Sequence, residues 1–402
     1  MVTELKKGKC TGCGVCETVC PKSCIELKSD EEGFEYPEID FSECVKCNKC
    51  DRFCHAQNLL KNETGIVEPY AAYNKNESIR ESSSSGGIFW TLCENVVKNK
   101  GVVYGVIVDE ENKVKHTRAA CLDDAEKMRG SKYVQSKISS DIFESVKSDL
   151  ENNCFVLFSG TPCQIGALNR FLGKDYDSLL KVSFICHGVP SPYVFKKYIS
   201  WQENIHKAKV TDISFRNKDR GWTDFSMKLS FSDGSKYSNS LNRDPYLQVF
   251  LKNLCLRASC YECKYKGEEI LSSNIDILLA DKWGTVGSKF DKINDDKGLS
   301  LIFLFSKKAK EIFKAVSEKL LYEKADFNIA ANSNIAFFES AKRNPKKNEF
   351  YKDLNILPFD KLYKKYAKTP TSVILKSNVK KYGFKICKFL HINKLVKKII
   401  NR

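Results

Sequence analysis

The sequence lacks several features that would assign it to common protein classes. No apolar run approaches the roughly 20 residues that a membrane span needs, and stretches such as 299–305 are far shorter. No apolar h-region precedes Cys10, so a secretory signal is not indicated. No Gly-x-Gly-x-x-Gly pattern follows a strand, which argues against a standard Rossmann nicotinamide site. We therefore expect a cytoplasmic protein, in which clustered cysteines bind metal or perform redox chemistry.

Acidic residues are missing from the C-terminal end of the chain. Between Lys361 and Arg402 there are thirteen Lys or Arg and no Asp or Glu, whereas the preceding residues carry 53 basic and 50 acidic side chains. The net charge of +16 thus belongs to a tail, and no nucleic-acid partner is expected. The spacing in residues 367–402 predicts a basic amphipathic helix. Two alternatives stay open for it: peripheral contact with the inner face of a membrane, or packing on the body with a solvated lysine face.

Cysteine, by contrast, is abundant, with 18 residues, nine of them in the first 60. The spacing C-x2-C-x2-C-x3-C occurs twice, which is typical of ferredoxins with two 4Fe–4S clusters. In such proteins the fourth cysteine of each run ligates the other cluster. The spacing predicts one cluster on Cys10, Cys13, Cys16 and Cys54, and a second on Cys44, Cys47, Cys50 and Cys20.

Residues 1–60 are therefore predicted to form a ferredoxin-type domain that depends on its metal for stability. Two structural zinc sites are the alternative, because C-x2-C pairs also bind zinc, but the full pattern occurring twice favours iron–sulfur clusters. His55 follows Cys54 where the pattern usually has proline, and we expect it to alter the local turn and the potential of one cluster. Cys24 is either a spare ligand or, in our preferred interpretation, a small core residue.

The remainder of the chain predicts a mixed α/β or α+β fold. A polar linker over 61–69 is expected, followed by a body domain over 70–330 and a C-terminal extension over 331–366. Strands are predicted at 102–108, 155–158, 180–185, 213–215, 225–231, 275–279 and 299–305. Helices are predicted at 86–97, 138–150, 164–172, 192–205, 245–253 and 307–321.

Several body segments combine residue types that suit a redox cofactor. The run 82–87 (SSSSGG) opens a predicted helix and could bind phosphate, although such a run is more often a cap or a linker. The turn 160–164 (GTPCQ) joins a strand to a helix, where ligands commonly bind. Spacing alone leaves open whether Cys163, Cys186, Cys260 and Cys263 share a cluster or are independent buried thiols.

The chain up to about residue 330 resembles the coenzyme F420 hydrogenase/dehydrogenase beta-subunit family, to which 7-hydroxymethyl chlorophyll a reductase also belongs. The segments that carry the resemblance are SSSSGGIF, RGSKYVQS, LFSGTPCQIGAL, ICHGVPSP, FRNKDRGW, LRASCYEC, DILLADKWG and DDKGLSLI. The resemblance implies FAD in the body domain and a third 4Fe–4S cluster beside it. By motif, that cluster is expected on Cys163, Cys186, Cys260 and Cys263, with Cys255 as a possible substitute.

The resemblance also implies roles for other residues. FAD is expected to contact Ser85, Gly86, Gly87, Gly130, Ser131, Lys132, Tyr133 and Thr161. Lys132 is interpreted as a catalytic cation near the pyrophosphate or the flavin, with a solvated lysine as the alternative. His187 either donates a proton to substrate or, as we prefer, hydrogen-bonds the cluster. Arg216, Lys218 and Arg220 beside Trp222 are expected to meet an anionic substrate or to form a solvated edge.

These expectations combine into an iron–sulfur flavoprotein oxidoreductase. Electrons from a redox partner such as ferredoxin would pass through the clusters to FAD and on to a small-molecule substrate, because a flavin exchanges both one and two electrons. Coenzyme F420 and a sugar linked to surface polysaccharide biosynthesis are candidate substrates. The alternative is a non-catalytic electron-transfer subunit that docks a separate oxidoreductase.

Overall fold

The computed structural model describes residue 2 and residues 8–59, 66–293 and 295–370. Residues 371–402, which hold most of the predicted amphipathic helix, lie outside the described residues. Within the described part, no helix is both long and apolar enough to span a bilayer.

The N-terminal segment is a ferredoxin-like domain with a pseudo-symmetric arrangement. Its elements are helix α1 (Val15–Thr18), strands β1 (Ile25–Ser29) and β2 (Glu35–Ile39), and helix α2 (Lys49–Arg52). The two strands pair as an antiparallel hairpin. Each helical turn follows a residue with left-handed backbone, Gly14 (φ 82°) or Asn48 (φ 56°), which bends the cysteine loop into the turn. Few apolar side chains here are buried, so the contact with the body contributes to the stability of this domain.

The body contains eleven further strands and twelve further helices in its described residues. The strands are β3 (Glu68–Asn74), β4 (Val102–Val108), β5 (Val114–Ala119), β6 (Val156–Ser159), β7 (Leu179–Phe184), β8 (Val210–Asn217), β9 (Ser226–Phe231), β10 (Lys236–Ser240), β11 (Ile277–Asp281), β12 (Ser300–Leu304) and β13 (Leu320–Lys324). The helices are α3 (Glu77–Glu81), α4 (Ile88–Lys98), α5 (Leu122–Glu126), α6 (Ser140–Glu151), α7 (Pro162–Leu172), α8 (Pro192–His206), α9 (Pro245–Leu251), α10 (Glu268–Leu271), α11 (Lys307–Val316), α12 (Phe327–Asn332), α13 (Lys347–Leu354) and α14 (Phe359–Leu362).

An eight-stranded mixed sheet forms the centre of the body, in the order β13-β3-β12-β11-β7-β6-β4-β5. Strands β4, β6, β7 and β11 are parallel to one another. Strand β5 pairs antiparallel with β4 at one edge, and β12, β3 and β13 continue the sheet antiparallel from β11. Helices α4 and α11 pack on one face, and α6 and α7 pack on the other. Because both faces are covered, central strands such as β12 are buried at every residue.

A second, three-stranded antiparallel sheet (β10-β9-β8) lies between β7 and β11 in the chain. It shares an aromatic core with helices α8, α9, α13 and α14, in which Tyr198, Tyr246, Phe350 and Phe359 are buried. The segment predicted as a C-terminal extension therefore contributes two helices to this core.

Most predicted elements are present with boundaries that differ by a few residues, and at two places the difference changes the pairing of the large sheet. Strand β3 begins at Glu68, inside the predicted linker, and pairs with β12 and β13 in the large sheet. The helix predicted over 307–321 ends at Val316, and Leu320 already pairs with Asn74 in strand β13. In both places pairing within the large sheet determines the conformation, which a local pattern does not report.

Candidate functional site

The structure gathers eight cysteines of the N-terminal domain around two cavities. The inner cavity, of about 400 Å³ with its opening to solvent, is lined by Cys10, Cys13, Cys16 and Cys54. The outer cavity, of about 380 Å³ by the same measure, is lined by Cys20, Cys44, Cys47 and Cys50. These are the two sets that the crossed spacing predicts. Their role as ligands remains a prediction.

The chemistry of the inner set suits a cluster of soft metal ions. Burial, together with the charges of Cys10 and Cys54, raises the pKa of Cys13 to about 12. Metal ions replace the protons of such thiols and stabilise the thiolates. Among the described residues, no three Cys, His, Asp or Glu side chains converge on the position of a single ion. The four thiols of each set surround a space instead.

Cys24 lines the outer cavity as a fifth thiol. Its Sγ lies 3.4 Å from the Sγ of Cys20, and burial raises its pKa to about 11. Cys24 is therefore beside the predicted cluster, where its S–H can act as a weak hydrogen-bond donor to a ligand sulfur.

A third group of thiols, the body thiols, consists of Cys163, Cys186, Cys260 and Cys263. Burial raises the pKa of Cys163 well above its usual range, and the charges of the other three body thiols contribute. Cys163 follows β6 and Cys186 follows β7; because these strands are parallel neighbours, their carboxyl ends meet at one edge of the sheet. Cys255, the predicted substitute, is fully buried in the aromatic core and does not join this group.

A large cavity of about 580 Å³, or about 2190 Å³ with its opening to solvent, lies beside the body thiols. That enclosed volume is within the range of ordinary cofactor and ligand pockets. Seven of the eight residues predicted to contact FAD line it: Ser85, Gly87, Gly130, Ser131, Lys132, Tyr133 and Thr161.

Gly86 is the exception. Its N–H donates to Ser300 Oγ (2.9 Å), and its carbonyl accepts from the N–H of Asn74 (2.7 Å). A Cβ at this position would lie only 2.5 Å from the carbonyl oxygen of Ala72. The glycine is therefore needed for close packing of the loop on the sheet rather than for lining the cavity.

The two residues predicted as catalytic both line the large cavity. Lys132 Nζ donates to the carbonyls of Lys127 (3.0 Å) and Arg129 (2.7 Å), and burial lowers its pKa to about 7. His187 Nε2 lies 2.7 Å from Asn253 Oδ1, and burial lowers its pKa as well. Both side chains are thus held by protein groups at the cavity wall.

The structure separates the three basic residues that were expected to act together. Arg216 lines the large cavity and pairs with Asp281 (2.6 Å). Lys218 Nζ donates to three backbone carbonyls at 2.7 Å, so its role is to fix the 80–85 loop and residue 297. Arg220 is exposed beside Asp224. Of the three, only Arg216 is placed to act on a cavity ligand.

Three residues link the body thiols to the inner cavity, a contact that the sequence pattern did not indicate for any of them. Arg257 is fully buried and donates to the carbonyls of Cys10 and Glu35, both at 2.8 Å. His55 Nδ1 lies 2.7 Å from Tyr265 Oη. Proximity to a cysteine was the only signal available: Arg257 precedes Cys260 by three residues, Tyr265 follows Cys263 by two, and His55 follows Cys54.

Comparison with known proteins gives two matches to family models. Residues 155–328 match the model for the C terminus of the coenzyme F420 hydrogenase/dehydrogenase beta subunit, and residues 9–58 match the 4Fe-4S dicluster domain.

Individual relatives match parts of the chain. The F subunit of the F(420)H(2) dehydrogenase from Methanosarcina mazei is 24% identical over 169 residues, which are 39% of this chain and 47% of that protein. The I subunit of the NADH-quinone oxidoreductase from Pelobacter propionicus is 39% identical over 57 residues, which are 12% of this chain and 30% of that protein. The chain thus spans about half or less of these curated relatives.

Among solved structures, a chain of the F420-reducing NiFe hydrogenase complex from Methanosarcina barkeri aligns with a TM-score of 0.41 and 18% identity. The alignment covers 76% of this chain and 92% of that one.

Proposed function

We propose that this chain is an iron–sulfur flavoprotein oxidoreductase, because residues 155–328 match the model for the coenzyme F420 hydrogenase/dehydrogenase beta subunit and residues 9–58 match the 4Fe-4S dicluster domain. In this proposal the inner and outer cavities and the body thiols each hold one 4Fe–4S cluster, and FAD occupies the large cavity. Electrons enter from a redox partner protein such as ferredoxin and leave to a small-molecule substrate.

One observation carries this proposal: Cys186 belongs to the body thiols and also lines the large cavity. A cofactor in that cavity would be adjacent to a cluster on the body thiols. The inner cavity is connected to the same thiols, because His55 lines it and contacts Tyr265, whose backbone N–H donates to Cys263 Sγ. In this proposal the sites therefore form a series.

The residues of the large cavity fit a flavin dinucleotide. FAD, when bound, exchanges electron pairs with a substrate and single electrons with clusters. Helix α4 begins at the cavity with Gly87 as its N-cap, and its free N–H groups and positive dipole end suit a pyrophosphate. Ser84 Oγ accepts from the N–H of Ser131 (2.7 Å), which joins the two loops at this end of the cavity. Trp283 and Phe225 add apolar surface on another wall.

Metal and flavin analysis of anaerobically purified protein tests the proposal. We expect about twelve irons per chain, since three cubes hold about four irons each, together with one FAD. Two clusters alone would give about eight irons and would contradict the third site. A preparation with intact clusters and no flavin would contradict the assignment of the large cavity.

A non-catalytic electron-transfer subunit is the second candidate function. The relative from Methanosarcina mazei is named as a subunit of a dehydrogenase, which favours a partner enzyme. Reduced protein should be mixed with candidate substrates, including coenzyme F420, in the absence of other proteins. Reoxidation of the flavin under these conditions supports the enzyme; reoxidation only after a partner oxidoreductase is added supports the non-catalytic role.

The buried charge of Arg257 is expected to raise the potential of the cluster in the inner cavity. Its Nη2 lies 3.6 Å from Cys10 Sγ, and reduction adds a negative charge that the guanidinium stabilises. Arg257→Met should lower the midpoint potential by on the order of 60 mV, which is about 1.4 kcal/mol for one electron. EPR-monitored redox titration measures the shift. Arg257→Lys keeps the charge but loses the planar fork, so a shift equally large in this variant would contradict a charge effect.

A further inference from the structure

The segment 257–265 contacts two thiol groups at once. It contains two of the body thiols, Cys260 and Cys263, and the residues at its two ends reach the N-terminal domain. The contact at its C-terminal end is made by Tyr265, whose side chain is buried. This end lies between the body thiols and the inner cavity.

Tyr265 is fixed against the body thiols. Its backbone N–H donates to Cys263 Sγ (3.5 Å). Its hydroxyl passes over helix α7 at Gly166, where a Cβ would collide with Tyr265 Oη. Gly166 is three residues after Cys163, so the tyrosine ring crosses the helix whose first turn contains another body thiol. The absence of a side chain at Gly166 allows the hydroxyl to reach the N-terminal domain.

His55 completes the contact from the other side. It directly follows Cys54 and is 2% exposed. Its Nδ1 lies 2.7 Å from Tyr265 Oη, and its Nε2 lies 2.9 Å from Oγ1 of Thr11, which directly follows Cys10. Both ring nitrogens thus have partners, so the orientation of the ring is fixed by the residue next to one inner-cavity thiol and by Tyr265.

We propose that His55 and Tyr265 form the bridge across which single electrons pass between the inner cavity and the body thiols. This inference rests on the proposed function, since it requires clusters at both sites. The path runs from Cys54 through His55, across one hydrogen bond to Tyr265, and through the short backbone contact to Cys263. In each transfer one cluster is oxidised and the other is reduced by the same electron. No covalent bond changes, and His55 and Tyr265 keep their own electrons and protons.

The bridge explains why His55 stands where the ferredoxin pattern usually has proline. A proline has no side-chain donor or acceptor and would leave the buried hydroxyl of Tyr265 without this partner. The N-terminal domain therefore carries a residue that serves its contact with the body in addition to a contact within the domain.

Tyr265→Phe in the full chain tests the bridge, because it removes the hydroxyl and keeps the ring. Tyr261→Phe is the matched control: its hydroxyl bonds the carbonyl of Asn253 (2.8 Å) in the same segment, away from the inner cavity. One electron is injected by pulse radiolysis into holoprotein with full iron and flavin content. The measured quantity is the rate at which the electron equilibrates between the N-terminal clusters and the flavin.

We expect equilibration to slow about tenfold in Tyr265→Phe, the scale on which partners of metal ligands matter, and to stay unchanged in Tyr261→Phe. His55→Phe, which fills the same space without the hydrogen bond, should slow it similarly and serves if Tyr265→Phe loses iron. The spin–spin coupling between reduced clusters should stay as in the unmodified protein, because the distances do not change.

Two results overturn the bridge. One is an unchanged rate in both variants that lack the hydrogen bond. The other is a slower rate accompanied by weaker spin–spin coupling, since that combination means that the domains have moved apart and the contact is structural. If the unmodified protein itself shows no electron exchange between clusters and flavin, the proposed function fails as well, and the two failures are thereby distinguished.

Discussion

Replacing Cys163 by alanine is expected to remove a complete cluster. The iron content should fall from about twelve to about eight atoms per chain, since one cube holds about four. The N-terminal clusters should keep their EPR signals, because their thiols line separate cavities. Flavin reduction by electrons from the N-terminal domain should then be lost, since the proposed path to the large cavity runs through the body thiols.

The control for this prediction is Cys255→Ala. Cys255 is more deeply buried than the body thiols, and it packs in the aromatic core beside the three-stranded sheet. We expect this variant to keep about twelve irons and to exchange electrons at the normal rate. Cys255→Ala could instead lose about four irons while Cys163→Ala loses none. That outcome would show that Cys255, and not Cys163, belongs to the ligand set. Cys186→Ala should reproduce the effect of Cys163→Ala.

The fold was predictable where a segment's own pattern determines its conformation. The β-branched run Val102–Val108 was predicted as a strand with the bounds that the structure shows. Strand β3 was missed because its sequence, EPYAAYN, begins with a charge and a proline and follows a polar stretch. Its conformation is set by two antiparallel neighbours that are more than 200 residues away in the chain. Such pairing is not encoded in a local window.

The same distinction holds for the candidate site. The two N-terminal cysteine sets follow from spacing, because each loop of three thiols is local and the fourth thiol is the last cysteine of the other run. The body thiols come from three separate segments, and spacing left their association open until the family resemblance was used. His55, Tyr265 and Arg257 depend on how the two domains contact each other. The sequence alone showed only that each lies near a cysteine and that His55 stands where the ferredoxin pattern usually has proline.

The contact between the domains also contains a buried ion pair. Lys347 Nζ lies 2.6 Å from Glu32 Oε2 and donates to the carbonyl of Leu256 (3.0 Å). The lysine side chain is 2% exposed and the glutamate 25%. Glu32 belongs to the N-terminal domain and Lys347 to helix α13, so the pair joins the first and last parts of the described chain. Removing one partner leaves the other charge poorly solvated.

Lys347→Met is accordingly expected to destabilise the docked N-terminal domain by about 3 kcal/mol, the lower end of the cost of breaking a buried pair. Native-state hydrogen exchange of the β1 and β2 amides measures the free energy of local opening. Lys28→Met is the matched control, because Lys28 pairs with Glu38 (2.9 Å) on the same hairpin with both side chains more than half exposed. Breaking this exposed pair should have a much smaller effect, because solvent screens its charges. Equal effects from the two variants would contradict a special role for the buried pair.

The double variant Glu32→Gln/Lys347→Met separates the attraction of the pair from the cost of an unpaired charge. If the single variant is unstable mainly because Glu32 is left without its cation, removing the carboxylate charge as well should restore part of the protection of β1 and β2. If the attraction dominates, the double variant should be no more stable than Lys347→Met. We expect partial recovery, because the double variant no longer leaves the Glu32 charge without its cation. The methionine keeps the apolar contact that Lys347 makes with Tyr261 and Tyr351. The ion pair then contributes more to the register between the two domains than to their net stability.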